Sequence, residues 1–152
     1  MLILLTLSYN QTVIDVLYKE KGGQRVAHRI LVAEDDADNL RLAQKILSAA
    51  GYIVLSARNG AEAVQSALAE QFSVIIMDMY MPEMSGFDAI RAIRERLGSS
   101  PPVLALTALA MPGDRERALA VGADAYLSKP YLPSELRQAI QDLIAKGTRI
   151  NT

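Results

Sequence analysis

Between Ser73 and Pro82 the chain reads Ser-Val-Ile-Ile-Met-Asp-Met-Tyr-Met-Pro, and this stretch limits the possible folds more tightly than any other. Val74 to Met77 form an unbroken apolar run with no polar alternation. Such a run predicts a strand covered on both faces, which is the habit of parallel sheets. Asp78 stands where that strand must end, because Pro82 cannot donate to a ladder and Gly86 soon frees the chain again. Open α/β sheets collect their chemistry at the carboxyl ends of their strands. The pattern thus puts one carboxylate where a reactive group belongs. An aspartate that only bonds its own turn fits the same position.

Composition narrows the chemistry. With 152 residues, 51% of them hydrophobic, the chain has the material for one domain with a sizeable core and room for an appendage. A net charge of −1 creates no global field toward nucleic acid or an acidic membrane. The absence of cysteine removes disulfides and thiolate metal sites. His28 is the sole histidine, so neither a histidine zinc site nor a Ser-His-Asp triad can be assembled around a second one. No run reaches the length of a membrane span, and Met1 to Leu7 lacks the basic lead-in and cleavage site of a signal peptide. The expectation is a cytoplasmic protein without a nucleic-acid or membrane partner.

Residues 1–28 differ in pattern from the rest of the chain. Leu2 to Leu7 and Val13 to Tyr18 are apolar runs around Ser8-Tyr9-Asn10-Gln11, suited to a hairpin or to a strand and a short helix. Lys19 to Arg25, with Gly22-Gly23 inside it, reads as a polar flexible joint. An upstream remnant, a dimerisation arm and a start site assigned too early all fit this extension.

From Arg29 the pattern alternates strand and helix. Ile30 to Ala33 is a short buried strand ended by Glu34-Asp35-Asp36, and the next helix lines up Leu40, Ala43, Leu47 and Ala50 before Gly51. Ile53-Val54-Leu55 and an alanine-rich helix with Val64 and Leu68 inward come next. The Asp78 strand is third, and its helix is expected to bury Phe87, Ile90, Ile93 and Leu97. Val103 to Leu106 is the fourth strand, ending at Thr107. The helix from Met111 to Val121 offers the core mainly alanines and Leu119, and so little anchoring that it can shift cheaply. Ala125-Tyr126-Leu127 leads into Ser128-Lys129-Pro130. The last helix buries Leu136, Ala139, Ile140, Leu143 and Ile144 and stops at Gly147, leaving a tail of residues 148–152. Right-handed crossovers turn this alternation over residues 29–147 into a doubly wound five-stranded parallel sheet with five helices.

The strand ends then converge. They bring Asp35 and Asp36, Asp78, Thr107 and Lys129 to one rim. Carboxylates crowded together raise one another's pKa unless a counter-charge is present, and oxygen ligands without histidine or cysteine favour magnesium. Magnesium that keeps its waters and takes a phosphate oxygen points to phosphoryl chemistry. Asp78 is the candidate nucleophile, Asp35 and Asp36 the metal carboxylates, Lys129 the neutralising ammonium and Thr107 the hydroxyl.

These residues carry a resemblance. Glu34-Asp35-Asp36, Met77-Asp78 with Met81-Pro82 and Gly86, Leu106-Thr107-Ala108, and Tyr126-Leu127-Ser128-Lys129-Pro130 together resemble the receiver domain of two-component response regulators. The run from Ala108 to Pro130 is most similar to receivers of hybrid sensor kinases. The resemblance implies a flavodoxin-like sheet of order 2-1-3-4-5. It implies that Asp78 takes phosphate from a phosphohistidine on a histidine kinase or histidine phosphotransfer protein. It makes Asp36, Asp78 and the Tyr80 carbonyl direct Mg2+ ligands, with Asp35 held through water, and the Lys129–Pro130 peptide cis. It makes Thr107 and Tyr126 a switch pair that turns the surface from Met111 to Leu136 toward a downstream protein. It implies no conventional enzyme, but a domain that promotes its own phosphorylation and dephosphorylation. The chain ends soon after the last helix, so the expected output is a protein contact. The resemblance also implies that Tyr80 and Leu109 flank the path of water to the phosphorus, and neither suits the placing of a hydrolytic water. An aspartyl-phosphate phosphatase acting on small phosphate esters is the alternative. Such enzymes commonly carry an acid two residues after the nucleophile, where this chain has Tyr80, whose ordinary pKa is about 10.

Overall fold

The structure is a computed structural model and describes residues 18–108 and 111–150. The runs expected within residues 1–17, Leu109 and the end of the tail lie outside these. Strands β1 (Tyr18–Lys21) and β2 (Gln24–Ala27) pair antiparallel, Tyr18 against Ala27. The segment expected as a flexible joint is thus a hairpin. Gly22 and Gly23 both take positive φ, 61° and 79°, as a two-residue turn matched to strand twist requires. The signal for it is local: two glycines between residues that can pair.

Five parallel strands make the main sheet: β3 (Arg29–Ala33), β4 (Ile53–Ala57), β5 (Val74–Asp78), β6 (Val103–Thr107) and β7 (Ala125–Ser128). Their order is β4-β3-β5-β6-β7, the doubly wound arrangement expected. The helices between and after them are α1 (Ala37–Ala49), α2 (Gly60–Ala69), α3 (Gly86–Leu97), α4 (Asp114–Ala120) and α5 (Pro133–Ile150). Strand alternation divides the core. Ile75 and Met77 face α2, α3 and α4, while Val74 and Ile76 face α1 and α5. Every residue of β5 and β6 is buried, so the Asp78 strand lies at the centre of both cores. Each fully buried isoleucine there contributes about 1.5–3 kcal/mol. His28 is also buried, with its Nδ1 2.6 Å from the Ser73 Oγ.

Several expected core positions are exposed instead. Helix α2 packs through Ala63 and Ala67, four residues apart, so Val64 is half-buried and Leu68 faces outward. Leu97 is the last residue of α3 and is exposed at its open end. In α4 the inward methyl is that of Ala118, which leaves Leu119 exposed, and the helix starts at Asp114, three residues after Met111. Helix α5 runs through Gly147 to Ile150 and does not stop at that glycine.

Candidate functional site

The carboxyl ends of β3, β5, β6 and β7 meet at one rim, as the topology requires. Asp78 ends β5 and is 5% exposed, and Glu34, directly after β3, is 3% exposed. Oxygens of Glu34, Asp35 and Asp78 all lie within 4.8 Å of one another. From the end of β7 the Lys129 ammonium donates to Asp78 Oδ2 at 3.2 Å and to Glu34 Oε2. Thr107 closes β6, fully buried. The Lys129–Pro130 peptide is cis. Behind Asp78 the chain turns so tightly that a Cβ on Gly86 would lie 2.2 Å from the Asp78 carbonyl oxygen, so only glycine lets α3 begin there.

One expected member is displaced. Asp36 is not in the carboxylate group: it is the N-cap of α1, and its Oδ1 accepts from the Asn39 N–H at 2.8 Å. Glu34 stands in its place, and its Oε1 accepts from the Asp36 N–H at 3.2 Å. The acidic pair at the rim is therefore Glu34-Asp35, one residue earlier than expected. The signal lay in the sequence. Asp36 precedes the helical pattern immediately, with Asn39 three residues on, and that is where a capping side chain is spent on backbone N–H groups.

The charges at the rim compensate each other. Burial pushes the Glu34 carboxyl above the usual carboxylate range, and its bond to Lys129 pulls only part of the way back. Burial alone would lower the Lys129 ammonium, but bonds to Glu34 and Asp78 outweigh it and hold the pKa above the ordinary lysine value. Lys129 therefore stays charged beside two carboxylates. The donor set is all oxygen, crowded and only partly neutralised, which fits a hard divalent cation such as magnesium. A cleft of about 370 Å³, lined by Asn39, Leu42, Ala108, Lys129, Pro130 and Tyr131, opens beside the ammonium.

Tyr80 is tied down rather than free in solvent. Its N–H donates to Asp78 Oδ1 at 3.2 Å, and its phenol donates to the Asp114 carboxylate, at 2.8 and 3.0 Å from the two oxygens. That bond pushes the phenol above the ordinary tyrosine range. Asp114 had no visible signal in sequence, because its partner lies 34 residues away. Tyr126 is half-buried against the α2–α3–α4 core. It pairs in register with Ala105, two residues before Thr107 and so on the same face of the sheet.

A doubly wound sheet whose carboxyl rim holds a lysine-paired aspartate and two further carboxylates has the parts of a phosphoryl-handling site. Comparison with known proteins makes the class specific. The family model of the response regulator receiver domain matches residues 30–141. Hybrid signal transduction histidine kinase B of Dictyostelium discoideum is 38% identical over 120 residues, covering 71% of this chain and 6% of that protein. The probable transcriptional regulator ycf27 of Pyropia yezoensis is 35% identical over 124 residues, covering 82% of this chain and 50% of that protein. Among solved structures, the receiver domain of sensor histidine kinase PA1611 from Pseudomonas aeruginosa PAO1, with a magnesium ion coordinated in its active-site cleft, superposes with a TM-score of 0.74. It is 36% identical, and the match covers 79% of this chain and 99% of that one. The chain belongs to the response regulator receiver family of two-component signal transduction. It spans about half the length of the transcriptional regulators it matches. No helix among the described residues is long and apolar enough to cross a membrane.

Proposed function

We propose that Asp78 accepts a phosphoryl group from a phosphohistidine on a histidine kinase or histidine phosphotransfer protein. One observation carries the reading: a buried carboxylate at the end of the central strand, paired with Lys129 and within 4.8 Å of two more carboxylates. In the transfer, an Asp78 oxygen attacks phosphorus as the bond from phosphorus to the imidazole nitrogen breaks. The imidazole leaves with the electron pair of that bond and takes up a proton. Lys129 pairs with one phosphoryl oxygen, and the Thr107 hydroxyl donates to another. Glu34, Asp35, Asp78 and the Tyr80 carbonyl would hold Mg2+, which supplies positive charge against the developing oxyanions when bound. A carboxylate nucleophile attacks phosphorus without a general base, which suits a domain that promotes its own phosphorylation and dephosphorylation.

The receiver unit is residues 29–147, with 1–28 and 148–152 as appendages, and it would act in the cytoplasm. Thr107 and Tyr126 form the switch pair, and the output surface is that of α4, β7 and the start of α5. Exposed Met111, Leu119 and Leu132 give that surface apolar contacts for a protein partner. The phosphatase alternative loses ground, because the Tyr80 phenol is engaged by Asp114 and is held above its ordinary pKa.

Intact mass after incubation with a small acyl phosphate and magnesium tests the proposal. The expected result is one added phosphoryl group, absent without magnesium and absent in Asp78→Asn. Uptake that persists in Asp78→Asn contradicts it.

A further inference from the structure

Helix α4 is attached to the molecule mainly by polar contacts. Among its residues only Asp114 and Ala118 are buried, so it contributes one methyl group to the apolar core. Asp114, 6% exposed, accepts from the Tyr80 phenol and from the Met111 N–H at 3.3 Å. Three residues on, the Arg117 guanidinium carbon lies 3.9 Å from the centre of the Phe87 ring. Phe87 in turn meets Tyr80 edge-on, with ring centres 5.9 Å apart and planes at 77°. One turn of α4 therefore grips both members of an aromatic pair.

Tyr80 joins two regions. Its main chain touches the Asp78 carboxylate and its side chain touches α4. Hydrogen bonds to a buried carboxylate are among the stronger ones, and removing a donor leaves part of that charge uncompensated. We infer that Asp114 is a positioning residue for the acceptor site. Through the Tyr80 phenol it fixes the backbone that follows Asp78, and it makes the first turn of α4 respond to what the site holds. The inference rests on the reading of Asp78 as the phosphoryl acceptor. Coupling of this kind is reciprocal: if occupancy of the rim changes the bond, the bond changes the affinity of the rim by the same factor.

Magnesium titration followed by backbone amide shifts tests this on the full chain, Tyr80→Phe, Asp114→Asn and the double variant. Tyr80→Phe keeps the ring and its contact with Phe87 and deletes only the bond, so it remains informative even if Asp114→Asn folds poorly. In the unaltered protein, magnesium is expected to move the amides of Glu34, Asp35 and Asp78 and also those of α4. In each single variant the α4 shifts should fall by about half or more, and the magnesium dissociation constant should change about two- to tenfold. The double variant should change no more than either single one. Additive single effects, unchanged affinity with only a lowered melting temperature, or α4 shifts of normal size in Tyr80→Phe would overturn the positioning role and leave the acceptor reading standing. Magnesium that moves no amide at Glu34, Asp35 or Asp78 in the unaltered protein would remove both.

Discussion

Helices α3 and α4 pack on the same face of the sheet and are held in opposite ways. Helix α3 buries Phe87, Ala89, Ile90 and Ile93 behind a Ser85 cap that accepts from the Asp88 N–H at 3.2 Å. Helix α4 buries one alanine and one carboxylate, and the left-handed Gly113 at its start provides no side-chain cap. Apolar burial has no substitute partner if the helix moves, whereas a hydrogen bond or a cation–aromatic contact can be exchanged for water or for a neighbour. The contrast is one of anchoring around Asp78: α3 packs tightly behind the Asp78 strand from Gly86 onward, whereas α4 is the more weakly anchored element.

The largest effect that would break this contrast lies in α3. Ile90→Ala should lower stability by about 2–5 kcal/mol in urea unfolding, because a fully buried side chain leaves a cavity. A loss well under about 1 kcal/mol would mean that α3 is no better anchored than α4. A middle-sized effect separates the two kinds of acidic residue at the rim. Asp36→Ala should cost about 0.5–2 kcal/mol through the lost helix cap while phosphate uptake continues. Uptake abolished in Asp36→Ala, with Asp35→Ala still active, would restore Asp36 to the metal group. The smallest effect lies in α4. Leu119→Ala, at a position 41% exposed, should change stability by less than about 0.5 kcal/mol. A loss comparable to that of Ile90→Ala would erase the difference between the helices.

The same contrasts separate the legible from the hidden in the sequence. The run from Val74 to Met77 was decisive because a strand buried on both faces leaves its hydrophobicity unbroken, and the order of strands followed from handed crossovers. Asp78, Thr107 and Lys129 were legible because each stands at a strand end, where position along the chain fixes position on the rim. The acidic pair grouped with Asp78 lies one residue earlier than the pattern suggests. Three consecutive acids look alike in composition, and only the capping geometry of Asp36 separates them. Leu68 misled because helical spacing alone does not tell which edge of an apolar stripe meets the sheet. The Tyr80–Asp114 bond was out of reach, since nothing local to either residue announces a partner so far along the chain.

One particular carboxylate, that of Asp78, is proposed to carry the phosphoryl group. Borohydride reduces an acyl phosphate to an alcohol and leaves free carboxylates untouched. Treating the phosphorylated protein with it and sequencing the peptides by mass spectrometry therefore names the acceptor directly. Homoserine is expected at position 78 alone, with Glu34, Asp35 and Asp36 unmodified. Reduction at Glu34 or Asp35, or phosphate retained on a residue that borohydride does not reduce, would contradict it.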